Sequence, residues 1–181
     1  MTRPLLFLDI DGVLNPFPDC PDGFTEYDFF PEEDEPVRLA AVHVDWLREL
    51  AAAFDVVWAS GWGEDANRVL SPFFGLPELP LVDLPPIPFE PLEKVPGVTA
   101  LAGDRPAAWV DDNITPEARE WAEQREAPTL LVDVESATCL TRPAVDELLD
   151  WAGGLTRPDG CSNELPPERP AHCRRAGRSS R

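Results

Sequence analysis

The stretch LLFLDIDGVLNP, residues 5–16, places two aspartates, Asp9 and Asp11, directly after four apolar residues. An uninterrupted apolar run is typical of a strand that is buried on both faces, as in a parallel sheet covered by helices. Because residues two apart in a strand point to the same side, Asp9 and Asp11 would stand side by side, which is unfavourable for two negative charges unless a ligand uses them. The alternative is a turn after the strand in which the two carboxylates accept backbone hydrogen bonds.

The rest of the chain repeats such apolar runs and alternates them with helical patterns. Three further runs are VVWA at 56–59, AAWV at 107–110 and TLLV at 129–132. Amphipathic helices are predicted over about 42–54, over about 115–126 with Thr115 as N-cap and Pro116 in the first turn, and over about 142–152. This alternation predicts an α/β fold with a doubly wound, mainly parallel sheet and helices on both faces.

Two segments depart from the alternating pattern. Residues 15–36 contain five aromatic residues and five prolines, and they predict a small flap or lid with a short hairpin around Gly23. The last helix is expected to end at Gly153-Gly154 and to close a single domain over residues 1–154. Residues 155–181 are rich in Pro, Arg, Ser and Gly and lack the apolar residues of a core, so they are predicted to be a disordered tail.

Composition restricts where the chain acts and what it binds. No segment approaches the roughly 18 uninterrupted apolar residues of a membrane span, and the first strand begins too early for a signal peptide, so a cytoplasmic protein with no membrane partner is expected. The net charge of −19 disfavours extended binding along a nucleic-acid duplex. Binding of one phosphorylated end is compatible with that charge. The sequence makes no prediction about the oligomeric state.

Polar residues follow three of the predicted strands. Asp9 and Asp11 follow the first, Ser60 follows the second, and Asp111 and Asp112 follow the third. Parallel strands bring their carboxyl ends to one edge of the sheet, where the ligands of open α/β sheets bind. Two carboxylates about 4 Å apart repel each other by about 4 kcal/mol at an effective dielectric of about 20, and a divalent cation would relieve this repulsion. Oxygen ligands without clustered His or Cys favour a hard ion, and Mg²⁺ is predicted.

These residues resemble the four ordered motifs of the haloacid dehalogenase (HAD) superfamily of phosphohydrolases. The motifs are Asp9-Ile10-Asp11-Gly12-Val13-Leu14, then Ser60, then Lys94, then Asp111-Asp112. The segments VVWASGW, GLPELP and DRPAAWVDDN are most similar to the HAD domain of Swiss Army Knife RNA repair proteins. The resemblance covers roughly residues 4–152 and implies a HAD-like Rossmannoid fold with a small flap in place of a large cap domain.

The resemblance also implies roles for the carboxylates. Asp9 would be the nucleophile that becomes an aspartyl-phosphate. Asp11 would protonate the leaving group and then deprotonate the attacking water. Asp9 and Asp111 would bind Mg²⁺ directly, Asp11 would contribute its backbone carbonyl, and Asp112 would bind the ion directly or through water.

Lys94 is the only lysine of the chain, whereas the other fourteen basic residues are arginines. Its place between Ser60 and Asp111 matches the third motif, and the resemblance implies that it binds both the nucleophile and the phosphate. A compact ammonium suits such a shared site better than a forked guanidinium. The alternative is a single lysine on the surface. In the same resemblance, Ser60 and the backbone amide of Gly61 would hold phosphoryl oxygens.

Most of the aromatic residues and His43 have structural interpretations. Trp62 would either stack on a substrate base or pack in the core or flap. His43 is interpreted as a surface residue at the start of a helix rather than a ligand. The remaining tryptophans are assigned to the core: Trp46, Trp58, Trp109, Trp121 and Trp151.

Together with this resemblance, the sequence predicts a Mg²⁺-dependent phosphohydrolase, and the resemblance implies a phosphomonoesterase with an aspartyl-phosphate intermediate. Its expected substrate is a phosphorylated small molecule or a nucleic-acid end, including nucleotide and RNA-end phosphates. The main alternative is a catalytically idle HAD-like domain that binds a nucleic acid or a protein. A phosphorylated signalling receiver is disfavoured because it would carry its phosphorylated aspartate on a later strand and its lysine after a Ser or Thr on the last strand, whereas here a double aspartate follows Lys94.

Overall fold

The computed structural model describes residues 2–32 and 35–155 of the chain. Its strands, in chain order, are β1 (Leu5–Leu8), β2 (Phe24–Tyr27), β3 (Val37–Ala40), β4 (Asp55–Trp58), β5 (Ala107–Asp111) and β6 (Thr129–Asp133). Four of them form a parallel sheet in the order β4-β1-β5-β6. Each of the four apolar runs read from the sequence forms one of these strands, and β1 lies in the interior of the sheet between β4 and β5.

Helices cover both faces of this sheet. They are α1 (Val42–Ala53), α2 (Ser71–Phe74), α3 (Lys94–Ala102), α4 (Pro116–Gln124) and α5 (Arg142–Leu155). The side chains of β1 alternate between two cores, because Leu6 and Leu8 pack with residues of α1 and α5, whereas Leu5 and Phe7 pack with residues of α3 and α4. The predicted doubly wound α/β fold is therefore confirmed. Among the described residues, no helix is both long and apolar enough to cross a membrane.

The insertion between β1 and α1 is a two-stranded antiparallel hairpin, β2-β3. A hairpin was predicted here, but its position around Gly23 was wrong, since Gly23 directly precedes β2 and the connection between the strands runs over 28–36. The hairpin is held on the body by aromatic contacts, such as that of Tyr27 with Phe73, whose ring centroids are 5.1 Å apart. In the described part of the chain this flap is the whole insertion between β1 and α1, and there is no large cap.

The last helix passes through the two glycines that were predicted to end it. α5 continues over Gly153 and Gly154 to Leu155. Glycine costs a helix about 1 kcal/mol relative to alanine but does not forbid it, and α5 is held by a buried face that includes Val145 and Leu148. Leu155, the first residue of the predicted disordered tail, is helical, and residues 156–181 lie outside the described part of the chain.

His43 and two tryptophans differ from their predicted environments. His43 is buried instead of exposed, because Phe24 of the flap and Trp46 pack against its ring and the carbonyl oxygen of Leu140 lies 3.0 Å from Nε2. Trp46 and Trp151 are only partly buried and pack on the edge of the core. The other three tryptophans assigned to the core are buried: Trp58, Trp109 and Trp121.

Candidate active site

The carboxyl edge of the parallel sheet gathers the residues singled out in the sequence. Asp9 directly follows β1, Ser60 lies two residues beyond β4, and Asp111 is the last residue of β5. Lys94 reaches the same place from a different element, as the first residue of α3. α3 packs closely over the preceding loop, because a Cβ on Gly97 would lie 2.3 Å from the carbonyl oxygen of Asp83. The strand ends and this helix start together form one site.

Lys94 joins two of the carboxylates. Its Nζ donates to Asp9 Oδ2 at 2.5 Å and to Asp111 Oδ2 at 2.8 Å. All three side chains are less than 10% exposed, so Lys94 is not a lysine on the surface. The other oxygen of Asp9 accepts the backbone N–H of Ile10 at 2.8 Å. Asp111 accepts two further bonds, from Trp109 Nε1 at 3.2 Å and from the backbone N–H of Asn113 at 3.0 Å. The orientation of both carboxylates is thereby fixed.

A third carboxylate adjoins this pair. Oxygen atoms of Asp9, Asp111 and Asp112 all lie within 4.8 Å of one another. Asp112 is exposed and packs over Gly12, which has φ of +74° and where a Cβ would lie 2.1 Å from Asp112 Oδ2. Three carboxylates, two of them buried, exceed the single charge of Lys94, and an all-oxygen donor set of this kind fits a hard divalent cation such as Mg²⁺. These residues could therefore hold the ion.

Burial and repulsion shift the proton affinities of this cluster. Burial, followed by repulsion from Asp111, raises the pKa of Asp9 to about 7, against the opposing attraction of Lys94. Burial by itself lowers the pKa of Lys94, but the attraction of Asp9 and Asp111 outweighs it and the pKa is raised. Burial and the charge of Asp111 also raise the pKa of Asp112. A bound cation would favour the ionised form of every carboxylate here.

Asp11 lies beside this cluster and makes different contacts. Its side chain is exposed, with Oδ2 accepting Trp62 Nε1–H at 2.9 Å and Oδ1 accepting Asn15 Nδ2–H at 2.8 Å. Trp62 also packs edge-on against Phe30 of the flap, with ring centroids 5.4 Å apart. The packing interpretation of Trp62 therefore holds in part, and its hydrogen bond to Asp11 was not anticipated from the sequence.

A cleft of about 650 Å³ opens above these residues. Asp9, Asp11, Ser60, Gly61 and Lys94 line it on the side of the sheet. The flap and the loop before α3 also line the cleft, through Phe17, Phe30, Arg38, Ile87 and Phe89. Phe17 and Ile87 are 56% and 73% exposed, so the mouth of the cleft is open and partly apolar.

Sequence reasoning missed several residues of this cleft. Asn15 was placed only within the flap, although its amide donates to Asp11. The spacing of four residues from Asp11 is a weak local signal, and it becomes a contact only through the tight turn in which Ile10 O accepts the N–H groups of Val13, Leu14 and Asn15. Arg38 and Ile87 have no local signal, because they reach the cleft from segments that are distant in sequence.

Comparison with protein families agrees with this arrangement. The family model that describes the HAD domain in Swiss Army Knife RNA repair proteins matches residues 5–145, a range that includes the whole sheet and every residue of the cluster. A comparison with curated proteins gives no match. The family match covers well over half of the chain and disagrees with the signalling-receiver alternative. HAD domains are generally hydrolases, and the chain belongs to the family of HAD domains found in Swiss Army Knife RNA repair proteins.

Proposed function

We propose that the chain is a Mg²⁺-dependent phosphomonoesterase that forms an aspartyl-phosphate on Asp9. The observation that carries this proposal is the buried Asp9 carboxylate beside the open cleft, which Lys94 bridges to Asp111, with Asp112 within 4.8 Å. Phosphoryl transfer depends mainly on positioning and charge neutralisation, and this cluster provides both.

In the first step a carboxylate oxygen of Asp9 attacks the phosphorus atom while the bond from phosphorus to the leaving-group oxygen breaks. Asp11 gives its proton to that oxygen, so that the leaving group departs as a neutral alcohol. Ser60 and the backbone amide of Gly61 hold non-bridging phosphoryl oxygens, and the Lys94 ammonium neutralises charge between the nucleophile and the phosphate.

In the second step a water molecule replaces Asp9 on phosphorus. Asp11, now a carboxylate, takes a proton from the water as its oxygen attacks, and the bond between phosphorus and Asp9 breaks. Inorganic phosphate leaves, and both aspartates return to their starting protonation states.

The metal-binding residues in this proposal are Asp9, Asp111 and Asp112 through their carboxylates and Asp11 through its backbone carbonyl. A bound Mg²⁺ ion supplies positive charge that reduces repulsion between the phosphate and these carboxylates. Among the described residues, Lys94 is the one cation in contact with Asp9 and Asp111.

The substrate class that we propose is a phosphate at a nucleic-acid end. Support comes from the RNA repair context of the family and from a cleft whose mouth is open and carries exposed apolar side chains, Phe17 and Ile87. The net charge of −19 limits contact to the end of a strand rather than a length of duplex. A phosphorylated small molecule is the other candidate, since it would fit the same cleft.

The test compares two conservative variants over a panel of phosphate esters. Wild type should release phosphate, in the presence of Mg²⁺, from at least one of 3′- or 5′-phosphorylated oligonucleotides, mononucleotides and sugar phosphates. Asp9→Asn should abolish turnover of every substrate, because an amide does not attack phosphorus. Asp11→Asn should be slowed by about 10²-fold or more with alkyl leaving groups and by less with nitrophenyl phosphate in the phosphorylation step, since nitrophenolate leaves without a proton.

Asp133→Asn is the matched control. Asp133 also ends a parallel strand of the sheet, but its exposed carboxylate pairs with Arg119. This variant should keep wild-type turnover. An active Asp9→Asn enzyme would exclude the covalent mechanism, and a wild-type protein without Mg²⁺-dependent turnover on the whole panel would favour an idle domain that binds a nucleic acid or a protein.

A further inference from the structure

Both oxygens of the Asp11 carboxylate are occupied by side-chain donors. Trp62 Nε1–H donates to one at 2.9 Å and Asn15 Nδ2–H to the other at 2.8 Å. An exposed aspartate is ordinarily solvated and free to rotate, but two directional bonds, one to each oxygen, fix the plane of this one. A carboxylate has about four acceptor positions, so two donors still leave positions for the proton that Asp11 exchanges.

The two donors are themselves held by the flap. Asn15 Oδ1 accepts the backbone N–H of Arg38, in β3, at 2.8 Å. The Trp62 ring packs edge-on against Phe30, and the Arg68 guanidinium lies over the Phe30 ring at 5.6 Å from its centroid. The hairpin therefore supports the amide and the indole that bind Asp11, and a change in the flap would reach Asp11 through either donor.

We propose that Asn15 and Trp62 are positioning residues that hold the Asp11 carboxylate in the orientation for proton transfer, and that the flap fixes them through Arg38 and Phe30. The inference rests on the proposed role of Asp11 as acid and base. It assigns a catalytic purpose to the flap beyond covering the cleft. It also gives Trp62 a role distinct from stacking on a substrate base.

The principal test is Trp62→Phe, which keeps a ring against Phe30 and removes the indole N–H. Single-turnover phosphorylation should be measured with nitrophenyl phosphate and with an alkyl phosphomonoester. We expect the alkyl ester to react about tenfold more slowly or worse, because a displaced acid loses much of its contribution. Nitrophenyl phosphate, which needs no proton in this step, should change by less than about threefold, with KM unchanged.

Two further variants test the second donor and the packing of the first. Asn15→Leu removes the donor to Asp11 together with the acceptor of the Arg38 N–H, and should give a selective loss at least as large. Phe30→Ala leaves both donors in place but removes the support of Trp62, so its loss should be selective and smaller. Trp46→Phe is the matched control, because it makes the same substitution at another half-buried tryptophan, packed against His43 on α1, and should react like wild type.

A spectroscopic measurement tests the contact without any activity. The indole N–H signal of Trp62, identified by its loss in Trp62→Phe, should move upfield in Asp11→Ala, where no carboxylate accepts it. An unmoved signal, or equal losses for both leaving groups in Trp62→Phe, would overturn the positioning role while leaving the phosphatase proposal intact. A wild-type protein without turnover would instead refute the proposed function, and the positioning role with it.

Discussion

Replacing Lys94 by methionine should destabilise the protein when Mg²⁺ is absent. The substitution keeps an unbranched side chain of similar length and removes the ammonium that lies 2.5 Å from Asp9 and 2.8 Å from Asp111. The side chains of both ion pairs are less than 10% exposed, so both pairs are buried. Removing one partner of a buried pair typically costs about 3–5 kcal/mol of unfolding free energy, because the remaining charge is left without compensation.

For a domain of this size, a loss of this magnitude lowers Tm by roughly 6–20 °C. Thermal unfolding of wild type and Lys94→Met in EDTA should show that difference. Saturating Mg²⁺ should then recover a large part of it, because a ligand that binds only the folded state at about 100 times its Kd contributes about 2.7 kcal/mol. The apparent Kd for Mg²⁺ should also fall in Lys94→Met, since the competing ammonium has been removed.

Arg119→Met provides the matched control. It breaks the ion pair between Arg119 and Asp133, in which both side chains are 50% exposed. Tm should therefore change by about 3 °C or less, whether Mg²⁺ is present or not. Turnover of Lys94→Met should be strongly reduced, and Lys94→Arg should rescue little, because the site takes a compact charge. An unchanged Tm of Lys94→Met in EDTA, or a decrease that Mg²⁺ does not reduce, would refute the reasoning that Lys94 neutralises carboxylates able to bind the ion.

Two other predictions concern the same cluster. The pKa of Asp9 is raised from 3.8 to about 7, so in EDTA its contribution to stability is present below pH 3.8 and is lost as the pH rises to about 7. The Tm of wild type should accordingly fall relative to that of Asp9→Asn as the pH rises from 4.5 to 7.5. His43 has a lowered pKa and makes stability decrease with falling pH, but both proteins contain it, so its contribution cancels in the Tm difference. A Tm difference that stays constant over this pH range would contradict the raised pKa of Asp9. Gly12→Ala should weaken Mg²⁺ binding as well as lower stability by about 1–2 kcal/mol, because its Cβ would meet Asp112 in addition to the strain of a positive φ. Gly103→Ala, also at positive φ but with open space around it, should lower stability alone, and equal Mg²⁺ affinity in the two variants would exclude the contact with Asp112 as the cause.

The strands and the acidic edge of the sheet could be predicted because their signals are local. Four apolar runs identified the four parallel strands, and the aspartates and the serine that follow them lie at the carboxyl edge. Parallel pairing alone then requires those residues to be neighbours. The N-cap of α4 was also predicted from the sequence, and it is confirmed because Thr115 Oγ1 accepts the backbone N–H of Ala118.

Other features depended on contacts between distant segments. α3 was not predicted from a stretch that contains Pro96 and Gly97, although that helix carries Lys94. The burial of His43 depends on Phe24, from a flap whose hairpin register the local sequence did not fix. Local propensity contains no information about which segment will cover a given face, so such environments cannot be read from a single stretch.

The sequence by itself determined the four strands of the parallel sheet, the burial of that sheet on both faces and the identity of the residues at its carboxyl edge, because strand periodicity and chain connectivity are properties of neighbouring residues. The tertiary structure alone decided which groups touch. It paired Lys94 with Asp9 across 85 positions and Trp62 with Asp11 across 51 positions. Hydrogen bonds and ion pairs form only over about 3 Å, so a contact between remote segments is specified by how the whole chain packs. That packing fixes the orientation of the exposed Asp11 carboxylate.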